Sequence, residues 1–287
     1  MNPAIVPVPL RRAGRAGEDA FSWEETTDTV AAEAPLTLRV EGRAIAVIMR
    51  TPGHDRELAA GFLLTEGVIQ SRSDVFEISV CPSVSGSGDS VDVILANPAA
   101  WDSDQLTRHV FTSSSCGICS KTSLTTAIPP DRILTPAAEP LITGPELAGL
   151  PGQLRQAQPA FEATGGLHGC AWWDADRREW VPGLLFEDVG RHNALDKLLG
   201  HALLTGQLPL AHGALMLSGR ISFELVQKAH AARIPLIAAV GAPSSLAIAY
   251  AATAGITLCG FVREDRFNVY THPGRLGLND PKPRHSL

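Results

Sequence analysis

The chain has 287 residues, 45% hydrophobic, 19% charged and 6% aromatic, enough for one large domain or two modest ones around a substantial core. Its net charge of −6 excludes a general attraction to phosphate backbones or anionic membranes, and the scarcity of aromatics argues against a stacking platform for single strands, so neither nucleic acid nor membrane is expected as a partner. Five cysteines, an odd number, and no apolar core after Arg11-Arg12 do not describe a secreted disulfide framework; a reducing cytoplasm is expected.

In chain order, residues 1–30 are rich in Pro, Arg, Gly, Glu and Asp with little periodicity and read as a disordered tail. Residues 31–110 read as a small N-terminal α+β domain. Leu36–Val40 and Ala44–Met49 alternate around Glu41-Gly42, the pattern of a hairpin. Asp55 to Glu66 carries Leu58, Phe62 and Leu63 at helical spacing, with Asp55 placed to cap it. Short strands are expected at Val75–Val80 and Val91–Leu95, separated by a Ser/Gly loop.

Residues 111–280 read as a second, layered α/β domain. It opens on Ser113-Ser114-Ser115-Cys116-Gly117-Ile118-Cys119-Ser120-Lys121, two thiols three residues apart among small residues that leave sulfur open to attack. A helix starting near Ser120 would direct free N–H groups at these thiols and favour thiolate, the form that attacks, carries sulfur or binds metal. Helices are then expected at Pro145–Gln156, Asn193–Leu204, Phe223–Ala232 and Ser245–Ala252. Strands are expected at His168–Trp173, Val181–Phe186, Ala214–Leu217, Leu236–Val240 and Ile256–Phe261. The alternation implies parallel pairing in a layered sandwich, with ligands beyond the carboxyl ends of the strands. The apolar run from Ile234 to Gly260 is broken by Pro235, Gly241, Pro243 and Gly255, and reads as buried strand, helix and strand instead of a membrane span.

Four loops of this second region carry more polarity than a connection needs. Glu187–Asn193 places Arg191 and His192 at a helix start, suited to an anion or simply to a solvated cap. Ser218-Gly219-Arg220 has the form of a phosphate cradle, or of a plain cap. Gly241–Ser245 is a third such turn. Phe261-Val262-Arg263-Glu264-Asp265-Arg266 sets guanidinium forks that suit phosphate beside carboxylates that suit the N–H edge of guanine; the bland reading is a surface hairpin with internal ion pairs. Together they point to a nucleotide-like or phosphorylated ligand. A zinc site is not expected. There is no second C-x-x-C, and neither His168-Gly169-Cys170 nor His212-Gly213-Ala214 has the glutamate that zinc deaminases place two residues after histidine. Cys81, Cys170 and Cys259 read as small packing residues.

The ordered set Cys116-Gly-Ile-Cys119, Glu187-Asp-Val-Gly-Arg-His-Asn-Ala-Leu-Asp196, Ser218-Gly-Arg-Ile-Ser-Phe-Glu224 and Gly260-Phe-Val-Arg-Glu-Asp-Arg-Phe-Asn268 resembles the FdhD/NarQ family of formate dehydrogenase accessory sulfurtransferases. The resemblance runs from about Leu36 to His272. It implies a second domain similar to the cytidine deaminase fold. It also implies a cytoplasmic sulfur carrier that takes persulfide sulfur from an IscS-type cysteine desulfurase. The sulfur would pass to Mo-bis(molybdopterin guanine dinucleotide), the cofactor that formate dehydrogenase requires. Under it, Cys116 and Cys119 are the catalytic pair, Cys116 as persulfide carrier, and Phe261 to Arg266 bind the cofactor, with Arg191, His192, Ser218, Gly219 and Arg220 holding its nucleotide part. A homodimer is implied as well. Two other readings stay open: a chaperone that binds the cofactor without moving sulfur, and a zinc-dependent deaminase-like hydrolase. A redox C-x-x-C protein fits less well, because no thioredoxin-like βαβ pattern surrounds the pair.

Overall fold

A computed structural model describes residues 3–16, 20–81, 89–98, 128–136 and 139–278. The C-x-x-C pair, the helix expected after it and the Ser/Gly loop before residue 89 lie outside the described residues. So does the boundary expected near residue 110.

The first element corrects the sequence reading. Residues expected to form a disordered tail pair instead as an antiparallel ribbon, β1 (Ile5–Arg15) with β2 (Phe21–Ala31). The charges that suggested disorder face one another across the ribbon, Arg11 at 3.3 Å from Glu25 and Arg12 at 3.5 Å from Glu24. Opposite charges at cross-strand positions favour pairing. Phe21 and Trp23 near its tip are exposed.

A four-stranded sheet follows, built from β3 (Ala34–Val40), β4 (Arg43–Arg50), β5 (Val75–Cys81) and β6 (Asp89–Leu95) in the order β4-β3-β6-β5. The expected hairpin is there, but β3 also pairs with β6 in parallel. Alternate residues Leu36, Leu38, Val40, Val91 and Val93 turn inward, as period-two side chains must. They pack in the same core as Leu58 and Leu63 of α1 (Asp55–Thr65). At one corner the buried Arg50 guanidinium donates to both oxygens of Asp55, at 2.8 and 2.9 Å, and to Asp89 at 2.7 Å. Burial alone would lower its pKa, but these two carboxylates more than reverse that. One charged side chain thereby ties the end of β4, the start of α1 and the start of β6.

The second sheet has six strands: β8 (His168–Asp174), β9 (Glu179–Asp188), β10 (Gly213–Leu217), β11 (Leu236–Ala239), β12 (Thr257–Gly260) and β13 (Asn268–Thr271). Their order is β13-β12-β11-β10-β8-β9. Parallel pairing holds for β10, β11 and β12, the strands joined through α5 (Phe223–Ala231) and α6 (Ser245–Ala254). At the flanks it fails. β8 pairs antiparallel with β10; β8 with β9, and β12 with β13, are joined by short connections, which permit only antiparallel neighbours.

Both faces of this sheet are apolar. Leu215 and Leu217, Ile237 and Ala239, Leu258, and Cys170 and Trp172 face the core that includes residues of α4 (Arg191–Leu204), α5 and α6. The alternate residues Ala214, Met216, Leu236, Ala238, Cys259, Ala171 and Trp173 face Leu147, Leu150 and Leu154 of α2 (Gly144–Gln156). This makes a helix–sheet–helix sandwich. A parallel pair, β7 (Ile142–Thr143) with β14 (Leu276–Gly277), brings residues near 277 back to the start of α2. Beyond α2 lies a six-residue helix, α3 (Pro159–Thr164), that the sequence reading missed.

The two sheets are joined helix to helix. A Cβ on Gly61 of α1 would stand 1.8 Å from the Asp196 carbonyl oxygen, and one on Gly200 of α4 would stand 1.8 Å from that of Glu57. Only glycine permits this backbone-to-backbone approach. Beside the contact, Lys228 Nζ donates to Asp196 at 2.8 and 2.9 Å and to Thr65 Oγ1 at 2.8 Å.

Candidate functional site

Three loops leave the carboxyl ends of β10, β11 and β12, and backbone hydrogen bonds lock them together. Gly241 N donates to Gly219 O at 3.0 Å, Ile221 N to Ala242 O at 3.0 Å, and Phe261 N to Gly241 O at 3.1 Å. The chain turns at Phe261 through a left-handed φ of 53°, and the Arg263 amide closes the last loop by donating to Arg266 O at 2.8 Å. The loops expected to bind a ligand are thus a single rigid edge.

A cavity of about 870 Å³ opens beside that edge, within the size range of small-molecule and cofactor sites. One wall is the loop from Arg263 to Arg266; the other is the end of α2 and α3, with Gly152, Arg155, Gln158 and Phe161; His168 and Ser218 line it between them. Ser218 is pinned to β8, its Oγ accepting from Gly169 N at 2.8 Å. The Arg155 guanidinium lies over the Phe161 ring at 4.1 Å, a cation–π arrangement with an aromatic face at the cavity.

Of the predicted binding residues, Ser218, Arg263, Glu264, Asp265 and Arg266 line this cavity. Arg263 is partly used as a staple, donating to the carbonyls of Val240 and Val262, both at 2.8 Å. Val262 is a correction: its side chain is fully buried in the α2-facing core and its amide donates to Ala239 O at 3.0 Å. It anchors the loop from below instead of touching a ligand. Phe261 is exposed at its left-handed turn and is not among the residues that line the cavity.

Arg191, His192, Gly219 and Arg220 are not lining residues, yet they surround one that is. His168 is held below the ordinary histidine value, first by burial and then by the charges of Arg191, His192 and Arg220. An imidazole whose pKa is lowered by burial and by nearby positive charge marks a place where negative charge is welcome. His192 Nε2 lies 3.1 Å from Ser222 Oγ and from Glu224 Oε2. The buried Arg191 Nε has no partner among the described residues.

The rest of the Glu187–Asn193 loop is structural. Glu187 accepts from the amides of Ala160 and Phe161 at 3.1 and 2.7 Å, capping α3. Asp188 is fully buried, 2.7 Å from the buried Lys197 Nζ, and accepts from Thr51 N, Gly190 N and Asn193 Nδ2 at 3.1, 2.8 and 2.9 Å. Lys197 in turn donates to Thr51 O at 2.9 Å, and Asn193 to Met49 O at 2.8 Å. One half of the motif bolts the two sheets together; the other half serves the cavity.

The described cysteines have no place in this chemistry. Cys170 and Cys259 are buried in the two cores, and burial pushes both thiols up, Cys259 to about 12. Such thiols stay protonated and unreactive. Cys81 is exposed at the end of edge strand β5. Cys116 and Cys119 lie outside the described residues. His212 sits before Gly213 at the far end of β10 from His168, paired with Asp176 at 3.1 Å, so these two histidines do not share a site. No group of three metal-binding side chains occurs among the described residues. Nor does any described helix have the length and apolarity to cross a membrane.

The sequence reading missed Arg155, Gln158 and Phe161, which form the cavity's second wall. The one available signal was Gln158-Pro159 followed by Glu162: proline at the first helical position starts a helix that is then too short to show a period.

Residues 31–277 match the FdhD/NarQ family. The chain is 47% identical over 255 residues to a protein named sulfur carrier protein FdhD from Mycolicibacterium paratuberculosis, spanning 87% of this chain and 92% of that one. It is 46% identical over 256 residues to a protein of the same name from Streptomyces avermitilis, spanning 88% and 90%. A crystal structure described as a formate dehydrogenase accessory protein from Desulfotalea psychrophila superposes with a TM-score of 0.70 at 26% identity, covering 96% of this chain and all of that one.

Proposed function

The chain belongs to the FdhD/NarQ family, and from that premise we propose that it is a sulfur carrier serving formate dehydrogenase, moving persulfide sulfur from a cysteine desulfurase to a guanine-dinucleotide form of the molybdenum cofactor. The observation that carries the reading is that Ser218 and the Arg263–Arg266 loop meet at one cavity, beside a His168 held below the ordinary histidine value by burial and by nearby positive charge. Phosphates suit Arg263 and Arg266. A scaffold like that of the cytidine deaminases, without their zinc-site glutamate, fits a pocket retained while its chemistry changed.

A thiolate at Cys116 attacks the outer sulfur of the donor's persulfide. The donor's S–S bond breaks, its cysteine leaves as thiolate, and Cys116 holds the new persulfide. No net oxidation occurs in this exchange. Release as hydrosulfide requires two electrons. Attack by Cys119 thiolate on the Cys116 sulfur supplies them, leaves a Cys116–Cys119 disulfide, and needs a dithiol reductant to reset the pair. The cofactor is the substrate here, with the cavity holding its nucleotide part while the sulfur arrives. Two copies of the chain acting together, in the cytoplasm, complete the proposal.

The test is mass spectrometry of the alkylated full-length protein after incubation with a cysteine desulfurase and L-cysteine. One added sulfur on the Cys116 peptide is expected. An unmodified pair, Cys116 and Cys119 alike, beside a demonstrably active desulfurase would overturn the carrier role and favour a chaperone that only binds the cofactor.

A further inference from the structure

Gln158 stands out in the wall of the cavity. Its residue is 2% exposed, it lines the cavity, and its Nε2 has no hydrogen-bond partner among the described residues. An unpaired buried amide is rare in a native fold and calls for a reason. The residue is well seated. Its own amide donates to Arg155 O at 3.3 Å, and its carbonyl accepts from Glu162 N at 2.9 Å. The carboxamide rests on Gly169 of β8, where a Cβ would come within 2.3 Å of Nε2 and 2.5 Å of Cδ. The absence of a side chain at Gly169 is therefore what lets a polar group lie at this point.

Across the cavity, Glu264 also lines the space, with its Oε1 3.9 Å from where a Cβ on Gly152 would sit. The two walls thus offer an amide donor without a partner and a carboxylate acceptor. Guanine presents the matching pattern, a carbonyl acceptor beside N–H donors, whereas adenine presents an amino donor where guanine has its carbonyl. Pterins carry the same amino–oxo pyrimidine edge as guanine.

We infer that Gln158 is a specificity-determining residue of the cavity. Its N–H donates to the ring carbonyl of a 2-amino-oxo-pyrimidine edge, guanine or pterin, while Glu264 accepts from the adjacent N–H groups. The inference rests on the nucleotide-binding reading given above and adds to it the residue that chooses the ring. A site built to hydrogen-bond one edge rejects the analogue that leaves its buried groups unpaired.

Isothermal titration of the full chain with GDP, ADP and neopterin tests this. The wild-type protein should prefer GDP, neopterin or both over ADP. Binding of GDP but not neopterin assigns the edge to guanine; the reverse assigns it to a pterin. Gln158→Met, unbranched and similar in volume, should weaken the preferred ligand about ten-fold and leave ADP unchanged. Gly169→Ala, which drives a methyl into the carboxamide, should lower the same preference by displacing Gln158 without removing it. Wild-type preference retained in full by both variants would overturn the inference while leaving the cavity a nucleotide site. A wild-type protein that binds neither GDP nor neopterin would overturn the nucleotide-binding reading itself.

Discussion

Two polar regions lie a few residues apart and are wired in opposite ways. At the seam between the sheets the two buried carboxylates each have their complement. Asp188 is met by Lys197 and three N–H donors, and Asp196 by Lys228 and Thr65. Around the cavity the groups are left short: the Gln158 amide and Arg191 Nε have no partner among the described residues, and His168 is held below its ordinary pKa by burial and nearby positive charge. Buried polar groups that are satisfied specify a structure; those that are not mark where something else is meant to bind. The contrast runs through a single heptapeptide, in which Glu187, Asp188 and Asn193 belong to the first class and Arg191 to the second.

The largest effect should come from breaking the seam. Lys197→Met strands a fully buried carboxylate, and urea unfolding should show a loss of about 3–5 kcal/mol. Stability close to wild type would mean that the seam is not held by charge. On the cavity side the comparison predicts the reverse, with affinity changed and stability spared. Arg266 is largely exposed and pairs loosely with Asp265 at 3.4 Å, so Arg266→Ala should shift stability by less than about 0.5 kcal/mol. The same substitution should weaken GDP binding about ten-fold. Unchanged GDP binding would separate the arginine loop from phosphate recognition.

The smallest effect concerns His168. Its folded pKa lies below the ordinary value of 6.5, so an unfolded chain takes up the proton first as pH falls. Its contribution to stability is therefore present above about pH 6.5 and is lost as pH drops from there toward the folded pKa. A bound anion offsets Arg191, His192 and Arg220, so NMR titration of the His168 ring should show its pKa rising when GDP is added. No upward movement in saturating GDP would place the anion away from these cations.

Much of this was readable from residues alone. Leu36–Val40 against Ala44–Met49, and the helices beginning near Asp55, Phe223 and Ser245, fell close to their observed bounds. There, hydrophobic period and turn chemistry agree. The arginine loop stood out because its polarity exceeds what a connection needs, and it lines the cavity. Val262 was not separable from its neighbours, since the burial of one residue in a polar loop depends on what lies beneath. Gln158 carried no signal beyond its place before the proline of a short helix: a buried glutamine becomes informative only once its missing partner can be counted. The ribbon at Ile5–Ala31 was hidden because cross-strand charge pairing is visible only when the register is known.

The contact between Gly61 and Gly200 has a consequence for how the chain can change over generations. Two helices that touch main chain to main chain have no cushion of side chains to absorb a substitution, and each glycine is fitted to atoms no mutation can remove. Neither position has a compensating partner, so drift is barred at both. A side chain at either position would have to push the two helices apart, and with them the two sheets they carry.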